Sequence, residues 1–264
     1  MKKIIVPVGN TENGINNLNY AVKFASMSGA TVYLVNLYRE FSKVGGLTKV
    51  NELLHEESEA QLQKIIDSVD TGEVEVLARA IKGDPFEGIT RIANQLEVDL
   101  MIVSPQSIDI KDEVYLGSIT GKIIKETDIP VLVIPQDYIF RKVEVILMAI
   151  KSGKIVKEGL LDPLKAMLDL FSARLNVLHV ITPDTDDSDL EHDAALKALE
   201  NNCTTTENAT IYQGVLEHFQ SNNPDMLCVI RRKRGFFQKL WETSAVMKKD
   251  FYTSKPLLIL SGQE

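Results

Sequence analysis

Cysteine is nearly absent from this chain: among 264 residues only Cys203 and Cys228 carry a thiol. Their placement supplies neither a disulfide framework nor a zinc-type spacing, and it suits the reducing cytoplasm. Long apolar runs are missing too. No stretch approaches the ~18–20 residues needed to span a bilayer, which excludes an integral membrane protein of the helical kind. The opening Met1–Val8 run is too short for a signal-peptide core and reads as a buried strand. Positive charge is scarce, with 29 Lys+Arg against 37 Asp+Glu. The deficit is uneven: residues 1–137 hold 13 basic and 20 acidic side chains, and residues 138–264 hold 16 and 17. An acidic first half argues against nucleic acid as a partner, since phosphate neutralisation needs a basic face. Ordinary content, with 44% hydrophobic and 25% charged residues, excludes a largely disordered chain.

What is present is one unit written twice. Displacing the chain by 126 residues sets Asp99 on Asp225, Val103 on Val229, Ser118 on Ser244, Lys122 on Lys248 and Pro130 on Pro256. Lys3–Val8 resembles Val145–Ile150 at a slightly different offset. This is a tandem duplication with drift. It predicts two domains, 1–137 and 138–264, joined near Gln136–Lys142.

Each copy reads as strands alternating with helices. Lys3–Val8 is a continuous apolar run, as in a strand buried on both faces of a parallel sheet. Ile15, Leu18, Val22 and Ala25 recur at helical spacing, and Gly29 closes that helix. Strands are predicted at Thr31–Leu37, Glu75–Ile81, Leu100–Val103 and Val131–Pro135, with further helices at Leu53–Val69 and Ser118–Glu126. Gly83-Asp84-Pro85-Phe86-Glu87 reads as a helix start, with Asp84 as N-cap and Glu87 closing a capping box. Alternation at this spacing implies right-handed crossovers. The fold class is therefore α/β: two tandem doubly wound domains, each with a five-stranded parallel sheet.

Such sheets bind ligands beyond the carboxyl ends of their strands. In the first copy those ends lead into Val8–Glu12, Leu37–Lys43 and Ser104–Leu116, beside the helix that Gly117-Ser118 opens. The segment from Gly83-Asp84-Pro85 to Val98–Val103, and Gly117-Ser118-Ile119-Thr120 followed by Asp128–Pro135, resemble the universal stress protein family. Pro7 matches a frequent proline late in that family's first strand. The resemblance implies the adenine-nucleotide-hydrolase-like fold. It also implies a tandem form, whose halves pack as a pseudo-dimer through their last strands; pairing there would satisfy exposed edges. A homodimer is a further expectation; a membrane partner is not.

ATP-binding members of that family carry Gly-x2-Gly-x9-Gly-Ser/Thr after the fourth strand and an Asp at the end of the first. Here Ser104 and Ser107 stand at the leading glycine positions, Gly117-Ser118 keeps the final pair, and Gly9 replaces the Asp. Only glycine lets a backbone approach a phosphate closely or take positive φ cheaply. Asp109, Asp112 and Glu113 add negative charge to the same loop. In the second copy Ile230, Lys233 and Thr243 replace the glycines, and Lys151 sits at the Asp position. The phosphate site is expected to be degenerate in both copies.

Arg231-Arg232-Lys233-Arg234 falls where the second copy would hold its phosphate loop. It reads as a solvated basic loop, as a cationic cradle for an anion with Ser244, or as a docking segment for an acidic partner. Phe236, Phe237 and Trp241 follow at near-helical spacing and read as core. Gly117–Lys122 fails as a P-loop, lacking the spacing and the magnesium-binding hydroxyl. The histidines form no metal signature: His55 and His192 fall on comparable second helices, while His179, in a strand, and His218 read as satisfied structural residues. Both cysteines read as packed thiols. Asp184, Asp186 and Ser188 fit the start of a calcium loop, but Asp189 and Ala195 fail its later positions. A solvated loop leading into a Leu190–Leu199 helix fits better. No nucleophile–base set has a recognisable motif.

The leading expectation is a cytoplasmic, non-enzymatic binding and regulatory module of the stress response, with no cofactor and no catalytic residue. A second is an ATP- or AMP-binding protein with slow hydrolysis, using Gly117, Ser118 and Thr120 around the phosphates beside Pro7, Gly9, Leu37, Ser104 and Ser107. A third is an anion or small-metabolite binder using Arg231, Arg232, Lys233 and Ser244. If the third holds, R231E with R232E should weaken phosphate binding sharply by calorimetry; unchanged affinity removes it.

Overall fold

The computed structural model describes residues 1–9, 11–38, 48–105, 118–232 and 255–263. They form two compact units. The first contains strands β1 (Lys3–Val8), β2 (Thr31–Tyr38), β3 (Val76–Lys82) and β4 (Leu100–Val103). Between and after them run helices α1 (Thr11–Ser28), α2 (Thr48–Asp67), α3 (Pro85–Gln95) and α4 (Ser118–Glu126). The strand order is β3-β2-β1-β4, all parallel, with Lys3 opposite Thr31, Val32 opposite Val76 and Ile4 opposite Leu100. Ile4, Ile5, Val6 and Leu100–Ile102 are fully buried, as expected of central strands covered on both faces.

Local sequence explains the helix ends. Gly29 takes φ +68° and its amide donates to the Ala25 carbonyl at 2.8 Å, so a residue without Cβ stops α1 in the left-handed region. Asp84 accepts from the amides of Phe86 (3.0 Å) and Glu87 (3.3 Å), with Pro85 in the first turn of α3.

The second unit contains β6 (Val145–Ile150), α5 (Asp162–Phe171), β7 (Arg174–Ile181), α6 (Ala194–Lys197), β8 (Asn202–Glu207), α7 (Ile211–Asn222), β9 (Met226–Arg232) and β10 (Leu257–Gln263). To these the first repeat adds β5 (Val131–Val133). The order is β5-β10-β9-β6-β7-β8, parallel throughout except that β5 runs antiparallel to β10, with Leu132 opposite Leu258. The last strands of the two repeats therefore pair, as the family resemblance implied. The helix expected before β10 lies outside the described residues.

The repeated aspartates hold equivalent places. Asp99 Oδ2 accepts from the amides of Lys2 (2.6 Å) and Lys3 (2.9 Å), and Asp225 Oδ2 accepts from those of Glu144 (2.8 Å) and Val145 (3.0 Å). In each repeat a carboxylate at the foot of the fourth strand grips the amino end of the first strand. Their persistence through the duplication is structural.

Packing divides the chain differently from a cut at residue 137. Pro130–Pro135 belongs with the second unit, while Gln136–Phe140 returns to the first. Aromatic burial accounts for the return: the Phe140 ring packs edge-on against Tyr20 of α1 at 5.0 Å between centroids, and Tyr138 lies at 6.2 Å. Tyr20 is fully buried, and burial together with Tyr138 pushes its phenol far above the ordinary range. Among the described residues no helix is long and apolar enough to cross a membrane.

Among the described residues the Tyr20 hydroxyl finds no hydrogen-bond partner. Tyr20→Phe should therefore raise stability by about 1 kcal/mol, removing the penalty of a buried orphan donor while keeping the ring. A calorimetric Tm below that of the parent would show the hydroxyl to be bonded.

Candidate functional site

In the first unit the chain steps from β1 outward to β2 and β3, then returns to β4 on the other side. The crevice beyond the carboxyl ends of β1 and β4 is the topological switch point. The β1–β4 register pairs only Ile4 and Ile5, so the two strands have parted before Pro7, which lacks a donor in any case.

Side-chain amides and hydroxyls occupy this crevice. Asn17 of α1 is buried, and its Nδ2 donates to Ser104 Oγ at 3.2 Å. Thr120 Oγ1 of α4 donates to the Ser104 carbonyl at 3.4 Å, and Asn13 Nδ2 donates to the Pro105 carbonyl at 3.2 Å. On the β2 side, Asn36 Nδ2 donates to Gln61 Oε1 at 2.8 Å. The Gln61 amide in turn reaches the Gly9 carbonyl at 3.5 Å. Gly9 is exposed, does not have positive φ, and a Cβ added there would meet nothing within 4 Å. No steric reason thus requires glycine at this position. Leu37 is a packing residue: its Cδ2 fills the space where a Cβ on Gly88 would stand, fitting α3 onto β2. Ser107 and Gly117 lie outside the described residues, and Ser118 is described only as the start of α4.

In the second unit the corresponding crevice lies beyond β6 and β9. Lys151 occupies the position of the family's Asp, and its Nζ donates to Asp184 Oδ2. Asp184 Oδ1 also accepts from Thr182 Oγ1 at 2.6 Å. These two donors, Lys151 foremost, pull the exposed Asp184 carboxyl down to about 2. Lys154 Nζ donates to Ser188 Oγ at 2.7 Å and lies 3.7 Å from Asp189. The acidic loop is thus tied to Lys151 and Lys154. Arg231 and Arg232 end β9, while Lys233 and Ser244 lie outside the described residues.

Behind Lys151 runs a chain that the sequence did not signal. His179 Nε2 lies 3.2 Å from the Lys151 carbonyl and His179 Nδ1 lies 3.0 Å from His192 Nε2. His192 Nδ1 lies 2.9 Å from Glu200 Oε2. His179 is a satisfied residue within a strand, as expected. The Leu190–Leu199 helix, by contrast, shrinks to α6 with Asp193 as its N-cap, and His192 precedes it with its side chain turned inward. Gly153 makes this possible. A Cβ there would stand 2.5 Å from the Glu191 carbonyl oxygen and 2.6 Å from His192 Cα, so only glycine admits this loop. His55 does lie on a helix, 3.3 Å from Glu59. Cys228 is packed, but Cys203 is exposed on β8, which corrects its reading as a packed thiol. The only hint of the histidine chain was a polar residue near the carboxyl end of a buried strand, since His179 sits opposite Ile150.

Comparison with known proteins accords with this architecture. The sequence profile of the Universal stress protein family matches residues 1–135. Universal stress protein MJ0577 of Methanocaldococcus jannaschii is 29% identical over 152 residues, covering 50% of this chain and 94% of its own. Universal stress protein MJ0531 of the same organism is 24% identical over 138 residues, covering 50% and 81%. The solved structure of a universal stress protein from Archaeoglobus fulgidus is 15% identical but spans 99% of this chain and 97% of its own, with a TM-score of 0.72, and so shares the fold through both repeats. With half its length matched by the family profile and its fold shared from end to end, the chain belongs to the universal stress protein family.

Proposed function

We propose that this tandem universal stress protein is a non-enzymatic binding and regulatory module of the cytoplasm, in which neither strand-end crevice retains an ATP site. The observation that carries this reading is the engagement of Ser104. Its hydroxyl takes the buried Asn17 amide and its carbonyl takes Thr120, at the position where ATP-binding members would place a phosphate-facing glycine. Hydrolysis would further need a metal-bound triphosphate and a positioned water. Among the described residues the side chains assembled here are neutral amides and hydroxyls, and Gly9 stands where the family's carboxylate would be. In the second unit the equivalent residue is a lysine already committed to Asp184.

Thermal-shift measurements with ATP, ADP, AMP and phosphate, each with and without magnesium, test the reading. A ligand at 100 times its Kd stabilises by about 2.7 kcal/mol, which would raise Tm by roughly 5–10 °C. The expected shift with ATP at about 1 mM is under ~1 °C. A clear ATP-dependent shift would overturn the proposal, and a shift with phosphate alone would assign an anion to the basic segment after β9.

The commitment of Lys151 is open to a separate test. Because the folded Asp184 carboxyl is held near 2, below its ordinary 3.8, the pairing is intact above pH 3.8 and fades as pH falls toward 2. In Lys151→Met the Asp184 midpoint, followed by NMR, should move back toward 3.8. An unmoved midpoint would mean that Lys151 is free to meet a ligand.

A further inference from the structure

We propose that the second unit holds a divalent transition-metal site of the zinc class, built from His192 Nδ1, Glu200 Oε2 and Cys203 Sγ. The three donor atoms lie within 4.8 Å of one another. His192 contributes from the turn before α6, Glu200 from just beyond it, and Cys203 from the exposed face of β8. The imidazole is buried, the carboxylate half-buried and the thiol open to solvent, so an ion can reach the set from the Cys203 side.

The juxtaposition of three donors carries the inference, and one tautomer of the histidine chain leaves a lone pair facing them. The Lys151 carbonyl can only accept, so His179 Nε2 bears a hydrogen and donates to it. Neutral His179 then turns a lone pair at Nδ1 toward His192, and His192 Nε2 must supply the hydrogen between the rings. That leaves His192 Nδ1 as a bare lone pair, 2.9 Å from an oxygen of a carboxylate that also only accepts. Two lone pairs at that separation require a positive charge, which is either an extra proton or a metal ion. His192 and Glu200 alone can share a proton as an imidazolium–carboxylate pair; the sulfur of Cys203 within reach of both is what makes the three a metal-ligand set.

The surroundings fit that assignment. A metal-binding histidine characteristically donates its other N–H to a fixed acceptor, and the relay from His192 through His179 to the Lys151 carbonyl does this. The His192 backbone is fixed by the close approach of Gly153, whose amide donates to the Asp189 carbonyl and whose carbonyl accepts from Asp193, each at 2.9 Å. A mixed nitrogen, oxygen and sulfur set selects zinc over magnesium or calcium, which prefer oxygen alone. Three protein ligands leave a fourth position for solvent or a small ligand. A thiol must lose its proton to ligate, so binding releases a proton and weakens as pH falls.

Cobalt(II), titrated into the full chain, reports the site directly. The expected result is a near-ultraviolet thiolate-to-cobalt absorption that saturates at one ion per chain and is bleached by zinc. Cys203→Ser should abolish the band, since Cys228 is fully buried elsewhere in the sheet. Glu200→Gln should weaken cobalt binding by about 10-fold or more. Both side chains reach the surface, and far-UV circular dichroism verifies that the variants keep the parent fold. Absence of the band from the parent protein, or its survival in Cys203→Ser, overturns the proposal.

Discussion

Asp99 receives the amides that open β1, and Asp225 receives those that open β6, at matched places in the two repeats. Each carboxylate sits immediately before the fourth strand of its repeat, so it sets that strand's register against the first. The first and fourth strands flank the topological switch point. The grip at their amino ends helps hold the two strands in register at the end of the sheet opposite that crevice. Charge-assisted bonds to backbone amides suit this role, because they constrain direction as well as distance.

From that common frame the two crevices have diverged in chemistry. Among the described residues the first is lined by neutral groups, with the Ser104 hydroxyl and carbonyl both engaged. The second is organised by charge, through the Lys151–Asp184 pair and a histidine chain that ends on Glu200. Among the described residues the same backbone thus presents two environments, one of neutral amides and hydroxyls and one of paired charges. The charge asymmetry between the halves of the sequence is the coarse trace of this divergence.

Much of the fold was legible in the residues themselves. β1, β4 and α4 lie where apolar runs and helical spacing placed them, and the starts of α3 and the end of α1 follow from Asp84-Pro85 and Gly29. These features depend on neighbours close along the chain. The site was less legible. Thr120 meets Ser104 beyond β4, Pro7 lies in β1 and Gly9 follows it, while Leu37 fills the space above Gly88. The inward turn of His192 carried no local signal, because its cause is a glycine 39 positions away.

The sequence by itself determined the duplication and the alternating strands and helices. These are properties of periodicity and residue type. Tertiary structure alone decided that β5 serves the second unit, because the pairing of β5 with β10 and the burial of Tyr138 and Phe140 against Tyr20 act across distant stretches of chain. It alone brought His179, His192, Glu200 and Cys203 together. Their proximity depends on strand register and on a loop that closes only over glycine, and a linear pattern records neither.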